Sequence, residues 1–119
     1  MRKIVFILLV ILTVSCSKEE DDTVYKTKEI RINLSNTLSY SYYLGSFEES
    51  EGPEITNQAL HFEYSDLFRN EETGGVSYGY KPLPEYVGED YVEILSEKII
   101  DVENDKKQIT TIKLTFIIL

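Results

Sequence analysis

Beyond residue 22, apolar and polar side chains alternate along most of the chain. Ile30, Ile32 and Leu34 are separated by Arg31 and Asn33, and Leu38, Tyr40, Tyr42 and Leu44 by Ser39, Ser41 and Tyr43. Leu60, Phe62 and Tyr64 are separated by His61 and Glu63, and Val76, Tyr78 and Tyr80 by Ser77 and Gly79. Residues 91–95 repeat the pattern, and a longer run over 109–119 puts Ile112, Leu114, Phe116 and Ile118 on one side. Successive side chains of an extended chain point to opposite faces, so each run predicts a strand with one buried face. A further strand over 97–102 would pair with the last one through an Asn104-Asp105 turn. No window carries the i, i+3, i+4 spacing of an amphipathic helix, and only 65–70 has room for a helical turn.

Turn-forming residues separate these runs: Ser35-Asn36, the stretch 45–53, Thr73-Gly74-Gly75, the stretch 81–88, and Asn104-Asp105-Lys106. Six or seven antiparallel strands within 24–119 predict an all-β fold of two facing sheets, with a small barrel as the alternative. The run Ile117-Ile118-Leu119 fits a central or well-paired strand, because an exposed apolar edge invites aggregation.

The first 22 residues follow another pattern. Met1-Arg2-Lys3 is a basic head, residues 4–14 are apolar except for Thr13, and Ser15-Cys16 is followed by Ser17-Lys18 and the acids Glu19-Glu20-Asp21-Asp22. A helix over that apolar stretch would cover roughly half of a ~30 Å hydrocarbon core, too little to span it. The dimensions are those of a signal-peptide core. Thr13-Val14-Ser15-Cys16 resembles the lipobox of bacterial lipoproteins, with Thr13 where Leu is usual. The acidic run after Cys16 is similar to the tether of surface lipoproteins of the Bacteroidota.

That resemblance implies a signal peptide over 1–15, a lipidated Cys16 with an acidic tether over 16–23, and a folded domain over 24–119. It also implies attachment to the outer membrane through lipid on Cys16, with the domain on the cell surface, or facing the periplasm as the alternative. Several acyl chains on one residue anchor a protein durably, since each buried methylene contributes about 0.8 kcal/mol. Cys16 is the only cysteine, so its lipidation would leave the domain without disulfide, thiol nucleophile or thiolate metal ligand.

Composition sharpens the picture. The net charge is −9, and loss of Arg2 and Lys3 with the first fifteen residues moves it to −11. An acidic surface repels phosphate backbones and anionic headgroups, so nucleic-acid binding is not expected and membrane association would rest on the lipid. With 42% apolar residues the chain is too hydrophobic to remain disordered.

A second resemblance covers the chain from about residue 54 onward. Thr73-Gly74-Gly75-Val76-Ser77-Tyr78-Gly79-Tyr80-Lys81-Pro82, followed by Tyr86-Val87-Gly88-Glu89-Asp90-Tyr91-Val92, resembles the second half of bacterial cadherin-like and immunoglobulin-like extracellular repeats. It implies an immunoglobulin-like (cadherin-like) sandwich of six to seven strands at the cell surface. Glycines at 74, 75 and 88 suit tight corners, Pro82 ends sheet pairing, and Asp90 can accept backbone N–H bonds at its corner.

Candidate chemistry is sparse. The single histidine, His61, is expected on the outer face of its strand, and no Gly-x-Ser-x-Gly elbow accompanies it, so a catalytic role is not expected. Asp101-Val102-Glu103-Asn104-Asp105 places acids at alternate positions, as a calcium loop does, but Lys106 and Ile112 occupy the positions that need Gly and Glu. A hydrophilic hairpin turn is the expected role. Glu48-Glu49-Ser50-Glu51 with Glu89-Asp90 is a weaker calcium arrangement, which cadherin-like repeats complete with a neighbouring domain. No metal or cofactor is therefore expected.

Nine tyrosines and no tryptophan remain. Tyr40, Tyr42, Tyr64, Tyr78, Tyr80 and Tyr86 are expected on inward faces or at the corner. Tyr43, opposite in phase to its neighbours, is the best candidate for an exposed contact ring, with Tyr25 behind it. The expected function is a non-catalytic, lipid-anchored envelope protein serving in adhesion, assembly or an accessory role. The alternative is a small glycan- or peptide-binding subunit of an outer-membrane uptake system. An envelope protein or a glycan is the corresponding partner.

Overall fold

The computed structural model describes residues 23–48 and 51–119, so Cys16, the signal segment and the tether up to residue 22 lie outside the described residues. Seven strands follow one another: β1 (Thr23–Leu34), β2 (Tyr40–Ser46), β3 (Gly52–Asn57), β4 (Phe62–Arg69), β5 (Gly75–Pro82), β6 (Gly88–Asp101) and β7 (Lys106–Ile118). They form two sheets in the orders β1-β7-β6-β3 and β2-β5-β4. The two sheets form a β-sandwich, with the second, fifth and fourth strands in one sheet and the third, sixth, seventh and first in the other. All pairings are antiparallel except β1 with β7, which run parallel.

The expected core forms between the sheets. Ile112, Leu114, Phe116 and Ile118 of β7 are buried together with Val92 and Ile94 of β6, and Tyr78 and Tyr80 of β5 close the other side. The Tyr80 and Phe116 rings stack with centroids 4.0 Å apart, and Tyr40 meets Phe116 edge-on at 5.6 Å. As its pattern required, β7 is fully paired, lying between β6 and β1.

Several expectations need correction. The stretch 45–53 is not all connection, because β3 begins at Gly52 and lies at a sheet edge beside β6. An edge strand tolerates Pro53, which has no N–H to offer a second neighbour. Residues 65–70 hold no helical turn; β4 runs on to Arg69. A register shift between Phe62 and Tyr64 reverses the phase of β4, so Ser65 turns inward while Tyr64 is 44% exposed. Leu60, expected on the same inward face, precedes the strand and is 80% exposed.

The expected strands over 91–95 and 97–102 are one continuous β6 whose hairpin with β7 turns at residues 102–105. Gly74 and Gly88, at φ +76° and +141°, occupy the left-handed backbone region that their corners demand.

Candidate functional site

The register of β1 against β7 fixes which loops share an end. Thr23 stands opposite Lys107, next to the β6–β7 turn, whereas Leu34 stands opposite Ile118. The chain therefore enters the sandwich at the pole of the β6–β7 turn. The other pole gathers the β1–β2, β3–β4 and β5–β6 connections, held together by backbone bonds from Leu83 N–H to His61 O and from Asn36 N–H to Leu119 O. Leu38, Leu60, Val87 and Leu119 are all more than half exposed there.

Asp90 organises this far pole. Its carboxylate is buried and accepts four hydrogen bonds: from Leu60 N–H (2.9 Å), His61 N–H (2.9 Å), Tyr91 N–H (3.0 Å) and Tyr80 O–H (2.7 Å). The backbone bonding expected of Asp90 thus reaches across to the β3–β4 connection. Beside it, Gln58 and Ser65 link that connection to the core, Ser65 Oγ lying 2.6 Å from both Gln58 Oε1 and Tyr78 Oη. Burial raises the pKa of both Tyr78 and Tyr80 well above the ordinary tyrosine range, and the Asp90 carboxylate adds to the effect at Tyr80.

His61 is not on an open sheet face. It sits in the β3–β4 connection, half-buried, its ring stacked on Tyr86 at 4.3 Å and 9°. A cavity of about 320 Å³ opens beside it, lined by Asn57, Gln58, Leu60, Glu89, Asp90 and Tyr91. No Ser, Thr or Cys lines this cavity, and the Asp90 carboxylate in its wall is occupied by backbone N–H groups and the Tyr80 hydroxyl. The stack on Tyr86 holds the imidazole beside this cavity.

At the opposite pole, a cavity of about 540 Å³ is lined by Glu54, Leu67, Arg69, Glu97, Ile99 and Lys107, among others. Its cations are engaged. The Arg69 guanidinium donates to Phe47 O (2.8 Å) and Glu51 O (3.0 Å), bracing the β2–β3 connection, and Lys107 pairs with Glu97 at 3.3 Å. On β1, β6 and β7 the inward positions turn polar toward this pole. Lys28, Ser96, Lys98, Gln108 and Thr110 surround a smaller cavity of about 170 Å³, and Lys98 Nζ lies 5.3 Å above the Phe47 ring.

The acidic loops do not converge. Gly52 stands opposite Glu97 and Asp90 opposite Phe116, so Glu51 and Asp90 lie toward opposite ends of β6, roughly 20 Å apart at ~3.3 Å per residue. Glu49 and Ser50 of the first loop lie outside the described residues. In the β6–β7 turn, the Asp101 carboxylate accepts from Asn104 Nδ2 at 2.7 Å, which holds its pKa below the ordinary carboxylate value. That carboxylate ties the hairpin turn. Among the described residues, no three His, Cys, Asp or Glu side chains gather in a metal-binding group.

The exposed rings are elsewhere. Tyr43 is 63% exposed on the outer face of the β2-β5-β4 sheet, where β4 adds Tyr64 and Phe68 at 44% and 48%. Tyr25 is exposed on β1 of the other sheet. Tyr40 and Tyr42 pack against the core as expected, and Tyr86 does so while carrying the His61 ring. Tyr64 and Phe68 escaped the sequence pattern because the register shift in β4 carries no local composition signal; the alternation of Asp66 with Leu67 after Ser65 is the trace it leaves.

Comparison of the chain with protein-family models and with curated proteins finds no match. The residues themselves therefore carry the functional argument.

Proposed function

We propose that this chain is a non-catalytic, lipid-anchored protein of the bacterial cell envelope, an immunoglobulin-like sandwich displayed at the cell surface in an adhesion, assembly or accessory role. The observation that carries the reading is the join between sequence and register. The lipobox-like segment, Cys16 and the acidic run lead directly into Thr23, and Thr23 opens β1 at the pole of the β6–β7 turn. A lipid on Cys16 would hold that pole toward the membrane, and the far pole with Leu38, Leu60, Val87 and Leu119 would face outward. Exposed aliphatic side chains at the end of a tethered domain suit contact with another envelope protein. The non-catalytic reading is supported by the cavity beside His61, which no Ser, Thr or Cys lines.

Metabolic labelling with radioactive palmitate tests the anchor. The wild-type protein takes up label and Cys16→Ala does not; an unlabelled wild type overturns the anchor. A second reading, a small glycan- or peptide-binding subunit of an outer-membrane uptake system, is favoured by the exposed rings of the β2-β5-β4 sheet.

A further inference from the structure

The outer face of the β2-β5-β4 sheet is built differently from the rest of the surface. Ser77 of β5 stands between Tyr43 of β2 and Phe68 of β4, and Gly79 stands between Ser41 and Asp66 in the next outward row. Tyr64 follows opposite Lys81. Apart from Lys81, the central strand offers only glycine and serine to the outside, and the large rings come from its two neighbours.

Those rings lie down over the glycines. A Cβ at Gly79 would stand 3.0 Å from a ring carbon of Tyr64 and 3.2 Å from one of Phe68; at Gly75 it would stand 3.1 Å from a ring carbon of Tyr43. Rings that lean across bare backbone form a flat, shallow surface instead of a groove. Tyr43 is held in this pose by the 3.1 Å contact of its hydroxyl with Ser46 Oγ. Tyr43 leans over Gly75 and Phe68 over Gly79, four residues further along β5, so the stacking surfaces are spread over about 13 Å at ~3.3 Å per residue, the reach of a short oligosaccharide.

We propose that this face is a binding site for a neutral polysaccharide, with pyranose rings stacking on Tyr43, Phe68 and Tyr64. A pyranose presents apolar C–H faces bordered by hydroxyls. The surface answers both features, with aromatic faces for the C–H groups and the Ser41, Ser77 and Asp66 side chains between them for the hydroxyls. A flat surface suits the side of an extended chain better than a terminal sugar, which needs an enclosing pocket.

Charge decides against the competing ligands. Nucleic-acid bases also stack on aromatic side chains, but they come with phosphates that require a cationic track. The cation on this face, Lys81, lies 3.5 Å from the Glu63 carboxylate, Asp66 adds negative charge, and the whole chain carries −9. The same balance disfavours acidic glycans. The site deepens the glycan-binding reading above and does not depend on the lipid at Cys16.

Affinity electrophoresis tests it. Full-length protein in detergent is run through native gels containing hydroxyethylcellulose, xyloglucan, galactomannan or amylopectin. At least one neutral polysaccharide should retard the wild type. Tyr43→Ala and Phe68→Ala should each weaken that retardation roughly fivefold or more, the loss of one stacked ring. Tyr25→Ala, on the opposite sheet, should leave it unchanged. Phe68→Gln and Tyr64→Gln serve as second variants that keep side-chain bulk, and thermal melting confirms that each variant is folded.

The proposal falls if no neutral gel retards the wild type, if removing the rings leaves retardation unchanged, or if only an anionic polysaccharide binds. It also falls if sedimentation finds a dimer that the same substitutions dissociate, since the face would then join two copies of this chain. Retardation without palmitate labelling would remove the anchor and leave the site. Labelling without retardation would do the reverse.

Discussion

Asp90 is buried, yet its two carboxylate oxygens accept four hydrogen bonds from three separate parts of the chain. An acid at this position can hold two consecutive N–H groups of a neighbouring loop, which no backbone strand supplies there. Asp90→Ala leaves the Leu60 and His61 N–H groups and the Tyr80 hydroxyl without that acceptor. It should lower stability by roughly 3 kcal/mol, since a buried unsatisfied group costs about 1–3 kcal/mol. Tyr80→Phe removes one donor and preserves the stack on Phe116, so its cost should be smaller. Urea denaturation of both variants checks the order; equal stabilities for Asp90→Ala and wild type would refute this role. The sequence disclosed that Asp90 would accept backbone N–H bonds at a corner. It could not disclose that the donors lie some thirty residues earlier, because that pairing exists only once the sheets face each other.

At the scale of elements, β5 carries the two most deeply buried tyrosines, Tyr78 and Tyr80. Both lose protons less readily in the folded state than in the unfolded state, where tyrosine titrates near pH 10. Tyr91, whose hydroxyl donates to Glu93 at 2.8 Å, is pushed up to about 12 by desolvation and by that carboxylate. Above pH 10 the unfolded chain has released protons that the folded chain retains. Stability conferred by these groups is therefore complete below pH 10 and declines as pH rises toward their folded values. Part of the tyrosinate absorbance should appear only in a cooperative step that coincides with loss of β-sheet circular dichroism. Full ionisation of Tyr78 and Tyr80 with the fold intact would contradict this burial.

The elements themselves were unevenly legible. β7 is legible from Ile109 onward because every second residue from Ile112 to Ile118 enters the core, whereas its first residues, Lys106 to Gln108, carry no apolar alternation. β3 was missed because it is a six-residue edge strand that opens with Gly52-Pro53 and sends a single aliphatic side chain, Ile55, toward the core. In β4 the register shift reverses inside and outside within one strand, so a regular alternation assigned Tyr64 to the wrong face and left Phe68 without one. Of the aromatic platform, only Tyr43 follows from the sequence pattern, since its strand keeps phase from Tyr40 to Tyr43.

At the scale of the whole molecule, the sandwich follows from strand number and spacing, whereas its polarity follows from the parallel pairing of β1 with β7. Nothing local in the sequence marks that pairing, because β1 is separated from β7 by the rest of the fold. The pairing gives the domain a near pole, where residues before Thr23 join it, and a far pole of exposed aliphatic side chains. The aromatic face lies on the flank between them, on the sheet that does not contain β1.

The most direct test of surface display by a lipid on Cys16 is protease treatment of intact cells, with Cys16→Ala and lysed cells run in parallel. The expected result is cleavage of the wild type on intact cells, protection of Cys16→Ala in intact cells, and cleavage of both after lysis. A wild type that survives on intact cells yet is cut in lysates would contradict surface display and turn the domain toward the periplasm.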